Sequence, residues 1–178
     1  MTAQRTRLGV MALVFVAAVS GSWAALPGQP NLPPRPAERM PFPEIKDWNS
    51  LSISLMRTPC FGRCPSYTVE IKGDGTVIYT GNASVAVTGK QQTTVSQAAV
   101  HRLFEKFRAA EYFWSLDNYS ARVTDLPTAQ TRIEFDGQQK EIVDYGGRMV
   151  GMPKELADLE SAIDEAAGTE RWIKPSPR

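Results

Sequence analysis

The sequence predicts an α+β domain: one antiparallel sheet in the order ββββ-α-ββ-α, with two helices packed on one face. Three observations carry this. Short runs of alternating apolar and polar residues recur with Gly-containing turns between them. Two longer segments carry apolar residues at helical spacing. The strand runs and the helical runs are grouped rather than strictly alternating, which disfavours a parallel α/β sheet.

The first strand is read from Leu51, Ile53 and Leu55, which alternate with Ser52, Ser54 and Met56. Tyr67, Val69 and Ile71 alternate in the same way with Thr68, Glu70 and Lys72. Gly73-Asp74-Gly75 turns the chain into a third strand, Thr76 to Thr80, and Gly81-Asn82 is expected to turn it into a fourth, Ser84 to Gly89. Such short connections imply antiparallel neighbours. Ser96 is the expected N-cap of a helix ending near Ala110, with Val100, Leu103, Phe104 and Phe107 on its inner stripe. Tyr112, Phe113 and Trp114 read as core, and residues 115–128 as an irregular loop. Arg132 to Phe135 and Lys140 to Tyr145 form a second hairpin, since Asp136-Gly137 suits a type I′ turn. Pro153 is placed first in the last helix, Met152, Leu156, Leu159 and Ile163 line its inner face, and Gly168 ends it.

The ends of the chain read differently. Arg5 and Arg7, the apolar run Leu8 to Val19, and Ser22 and Ala24 form an export signal with cleavage expected after Ala24. An uncleaved anchor is the alternative, because Leu8 to Leu26 carries no charge. No cysteine lies near the cleavage position, so a lipid-modified protein is not expected. Residues 25–47 read as a Pro-rich linker, with prolines 27, 30, 33, 34, 36, 41 and 43. It is a spacer before a single domain over residues 48–168, a Pro-rich partner ligand being the lesser option. Residues 169–178 are expected to be a flexible tail. The protein is placed outside the cytoplasm, in the periplasm or beyond.

The chain has 20 basic and 19 acidic residues. Cleavage after Ala24 removes Arg5 and Arg7 and no acid, so two fewer basic residues give a net charge of −1. That balance argues against a nucleic-acid partner, and membrane association is expected only if the leader is retained.

Cys60 and Cys64 are the only cysteines and lie in the stretch from Thr58 to Pro65, between the first two strands. In an exported protein the first reading is a disulfide that locks the strand crossing. The chain-entropy model assigns so short a ring roughly 2 kcal/mol. A redox-active pair is the second reading: Arg57 and Arg63 would favour a thiolate, but a strand follows Pro65 rather than a helix. A Cu(I) site with His101, the only histidine, is the third, although His101 reads as a surface residue. Zinc fits less well, since four good ligands are not visible, and no cofactor is expected.

Arg57, Phe61 and Arg63 place two guanidinium forks and an aromatic on or beside this loop, a composition suited to an anion, a carboxylate or a partner surface. Pairing of both arginines with nearby acids is the structural alternative. Tyr119 and Asp125 are further candidates for a polar pocket, although Asp125 before Leu126-Pro127 suits a turn. Asp144 is expected to face solvent or to pair with a nearby base. No hydrolase elbow, phosphate loop or metalloprotease helix is present, so no catalytic residue is assigned. Nothing in the spacing of Asp117, Asp125, Glu134 and Glu141 supports two-carboxylate chemistry.

The run from Ser54 to Tyr67 resembles the signature of a bacterial family, domain of unknown function 6438. Asp74-Gly75, Tyr79 and Gly81, Gly89, Phe113, Tyr119, Thr124 to Pro127 and Val143-Asp144-Tyr145 are similar to that family too. The resemblance covers Leu51 to Asp164. It implies a bacterial, exported domain and no particular activity. The expected function is therefore non-enzymatic binding of a protein, peptide or cell-wall component through a disulfide-locked loop. Thiol redox or Cu(I) handling by the cysteine pair is the alternative.

Overall fold

The computed structural model describes residues 39–174. The expected leader, residues 25–38 of the linker and residues 175–178 lie outside the described residues. The fold is α+β. Seven strands form one sheet in the order β4-β3-β2-β1-β6-β7-β5. They are β1 (Ser52–Arg57), β2 (Ser66–Lys72), β3 (Thr76–Ala83), β4 (Gly89–Thr94), β5 (Asn118–Ser120), β6 (Ala129–Phe135) and β7 (Gln138–Tyr145). Every neighbouring pair is antiparallel except β5 with β7, which is parallel. The two main helices are α1 (Gln97–Ala109) and α2 (Lys154–Ala167), followed by the one-turn α3 (Glu170–Ile173).

The period-2 pattern decides which face is covered. Ile53, Leu55, Val69, Ile71, Ile133 and Phe135 are buried on one side of the sheet. The inner stripes of α1 and α2, including Leu103, Phe104, Leu159 and Ile163, join them in one core. Ser54, Met56, Glu70 and Arg132 occupy the half-exposed opposite face. Local signals set the boundaries. The Ser96 side chain accepts a hydrogen bond from the Ala99 amide at 3.2 Å, satisfying a free donor at the start of α1. Asp136 and Gly137 both have positive φ, 48° and 75°, as a type I′ turn requires. Beyond α2 the Gly168 amide donates to the Glu165 carbonyl and the Thr169 amide to the Asp164 carbonyl, with Gly168 left-handed. That is a Schellman ending. Pro153 sits at the cap position, one residue before the place expected from the sequence.

The fourth strand differs from the sequence expectation. Gly81-Asn82 is not a turn: β3 continues to Ala83, and β4 begins only at Gly89. Gly81 serves close approach instead. A Cβ there would lie 2.8 Å from the Tyr79 hydroxyl and 3.0 Å from Val85. The 115–128 segment also contains more order than expected, because β5 adds a parallel edge to the sheet.

Both ends of the described chain pack on the domain. Phe42, within the segment read as linker, meets Phe104 and Phe113 edge-on at 5.3 and 5.1 Å between ring centroids. Ile45 is partly buried beside it. In the segment read as tail, Trp172 is 8% exposed and stacks on Tyr79 at 4.7 Å. The Trp172 carbonyl accepts from the Val87 amide at 2.9 Å. An isolated aromatic near a chain end gives no periodic signal, which is why neither contact is readable from pattern. Replacing Trp172 with alanine is expected to cost about 3 kcal/mol or more in urea unfolding. A loss below about 1 kcal/mol would instead match a loose tail.

Candidate functional site

The site is built on one row of residues crossing the whole sheet. Paired in register, they run Gly89, Gly81, Tyr67, Arg57, Ala129, Asp144 and Tyr119 across β4, β3, β2, β1, β6, β7 and β5. Register partners share a face, so the whole row points toward the helices. Large polar side chains share the row with glycines and an alanine, and α2 crosses above.

Arg57 is the centre of the row. It continues the inward series Leu51, Ile53, Leu55, so its side chain enters the domain and is only 26% exposed. Its Nη1 donates to Glu160 Oε2 at 2.9 Å and its Nη2 to Asp164 Oδ2 at 3.1 Å. The Tyr67 hydroxyl donates to Asp164 Oδ1 at 2.6 Å, and the Thr169 hydroxyl donates to the same oxygen at 2.8 Å. Asp164 therefore ties β1, β2 and the end of α2 together. Burial opposes the charge of Arg57, but Asp164, Tyr67 and Glu160 outweigh it and hold the guanidinium above its ordinary pKa. Burial and the hydrogen bond to Asp164 likewise push the Tyr67 phenol up.

Glu160 is the strained member of this network. Its side chain is 12% exposed, and burial is the largest reason its pKa is pushed up to about 7. Arg57 pulls the other way, while the Asp144 carboxylate on β7 adds to the rise. Glu160 Oε1 is buried with no hydrogen-bond donor on it, and the Asp144 carboxylate nearby disfavours a second charge there. Asp144 also accepts the Gly147 amide at 2.6 Å.

The cysteine loop rises from the same end of the sheet. Cys60 and Cys64 are joined in a disulfide with Cα atoms 5.5 Å apart. The loop's base is fastened to the segment before β6: the Thr58 amide donates to the Thr128 carbonyl at 3.0 Å, and the Thr128 amide to the Thr58 hydroxyl at 2.9 Å. Phe61 is 89% exposed at the tip, and Arg63 is exposed beside it.

The candidate residues thus separate. Phe61 and Arg63 remain on the surface, whereas Arg57 is committed to internal carboxylates. Tyr119 is buried and its hydroxyl accepts the Leu116 amide at 3.2 Å. Asp125 is exposed in a left-handed turn and accepts from the Thr124 hydroxyl at 3.0 Å. Tyr119 and Asp125 do not form the polar pocket considered from sequence. Asp144 faces inward rather than toward solvent. Asp117 pairs with Lys140 and Glu134 with Arg132, so both carboxylates are committed to cations. His101 stacks on Trp48 with ring centroids 3.7 Å apart. Trp48 precedes β1 and Cys60 follows it, so the six residues of β1, about 20 Å of strand, separate His101 from the cysteines. Among the described residues, no group of three or more His, Cys, Asp or Glu is placed to hold a metal.

Glu160 and Asp164 carry the signal that sequence reading passed over. They fall four apart within the stripe 156, 159, 160, 163, 164, 167, so two acids lie on the buried face of an amphipathic helix.

A family model described as a domain of unknown function (DUF6438) matches residues 51–167. The match covers more than half of the chain, and the chain belongs to that family. No match was found among curated proteins. Of the row's seven residues, all but Ala129 are among those that carry the family resemblance.

Glu160 makes stability depend on pH. Its folded pKa lies near 7 and its ordinary value near 4.5, so the native state holds the extra proton between these values. Stability should fall as pH rises from about 4.5 to 7, on the order of 3 kcal/mol for this group. Urea unfolding of Glu160→Gln across this range should show a markedly shallower fall. An unchanged slope would remove Glu160 as its source.

Proposed function

We propose that this domain is an exported, non-enzymatic binding module. It engages a protein, peptide or cell-wall component through the disulfide-closed loop, in the periplasm or outside the cell. The single observation that carries this reading is Phe61, a large aromatic almost wholly in solvent at the tip of a covalently closed ring. An exposed aromatic costs solubility and contributes nothing to the core, while beside a guanidinium it makes an effective contact for a carboxylate-bearing or ring-bearing partner. The ring and the paired threonines at its base keep that contact ordered before binding, which lowers the entropy lost on association.

The alternative, thiol redox or Cu(I) chemistry at the cysteines, would have to operate without His101.

The test uses purified cell-wall sacculi and a solubilised envelope extract as separate baits. Phe61→Ala/Arg63→Ala should be retained on one of them at least tenfold less than wild type, with an unchanged melting temperature. Equal retention of the two proteins on both baits would show that the loop is not the recognition element.

A further inference from the structure

Three loops meet at the cysteine end of the sheet. They are residues 58–65, 121–128 and 146–151. The first two are joined by the Thr58–Thr128 hydrogen bonds. The second and third are joined by packing around Gly146, where an added Cβ would lie 3.0 Å from Leu126, 3.2 Å from Ala121 and 3.4 Å from Met149. The Tyr145 hydroxyl adds a bond to the Val123 carbonyl at 3.0 Å.

The surface made by these loops has an unusual composition. Of the exposed large hydrophobic residues among the described ones, Phe61, Val123, Leu126 and Met149 lie here and only Met40 lies elsewhere. Met149 is 61% exposed. The charged residues are Arg63, Arg122, Arg148 and Asp125, all exposed, with no lysine or glutamate in the three loops. None of the three arginines forms an ion pair with a described residue.

We propose that this composite surface is a docking site for an acidic segment of a partner protein, one presenting carboxylates around large apolar side chains. The inference rests on the cysteine-loop reading above and extends it to two further loops. Large apolar side chains, an aromatic and a Met among them, with Arg in place of Lys: this is the composition of protein-binding surfaces. Arginine alone among the cations favours bidentate carboxylate contacts, whereas a lipid surface draws lysine equally well. Asp125 among these loops also suits a partner of mixed charge better than a uniformly anionic bilayer. Three arginines against one aspartate set the partner's excess as negative.

Amide NMR of the disulfide-intact protein tests this with the peptide EDLFDE, its basic counterpart KKLFKK, and phosphatidylglycerol vesicles. EDLFDE should shift residues in all three loops and KKLFKK should not. An Arg63→Gln/Arg122→Gln/Arg148→Gln variant of unchanged melting temperature should bind EDLFDE at least tenfold more weakly. No shift with EDLFDE, equal shifts with both peptides, or stronger binding to vesicles would overturn the proposal. Shifts confined to residues 58–65 would overturn the composite surface yet keep the cysteine-loop reading. Binding lost in Arg122→Gln/Arg148→Gln but kept in Phe61→Ala/Arg63→Ala would overturn both, since it would leave the cysteine loop outside the contact.

Discussion

The guanidinium of Arg57 lies between the end of a central strand and two carboxylates of α2, and little at this end of the molecule is independent of it. Desolvating an arginine and two acids costs several kcal/mol per ion, which only close charge pairing and full hydrogen bonding offset. Arg57 has the charge pairing, through Glu160 and Asp164, and donates to the phenol of Tyr67 as well, while Glu160 Oε1 is left without a donor. Such a network adds little net stability compared with an apolar replacement, yet it tolerates one geometry. It therefore fixes where α2 crosses the sheet. The Schellman ending and the Thr169 hydroxyl then position Trp172 over Tyr79.

The same arginine is the last residue of β1, so its anchoring is also the anchoring of the cysteine loop. Thr58 follows directly and is bonded to Thr128, while Tyr67 stands opposite Arg57 where the chain returns. The disulfide restricts the ring, and the buried network restricts its two ends. A loop held this way can expose Phe61 without collapsing onto the sheet. Internal order and the exposure of the loop thus rest on one register row, with the polar residues inside and the loops above.

Much of this was legible in the sequence. The cap at Ser96, the Asp136-Gly137 turn and the Gly168 ending stand where local chemistry puts them, whereas Arg57, grouped from sequence with the exposed loop, follows the alternation of 51–57 inward with Ile53 and Leu55. The cysteine pair is legible from its spacing and setting. The partners of Arg57 were not, because Glu160 and Asp164 lie more than a hundred residues away and no local pattern records which strand meets which helix turn. Gly81 misled for a different reason: glycine serves a turn and a close backbone approach equally, and only the packing of Tyr79 and Val85 distinguishes them. Phe42 and Trp172 were missed because single aromatics outside any periodic run look the same whether docked or free.

Hydrogen exchange in Arg57→Met tests the central claim most directly. Methionine keeps much of the apolar stem and removes the charge. If Arg57 organises this end of the fold, the amides of Thr58, Thr128 and Thr169 should lose protection together, while Ile71 and Ile133 at the far end of the sheet keep theirs. Unchanged protection at all three threonines would show that the cysteine loop and α2 are held without the arginine, and would contradict the account.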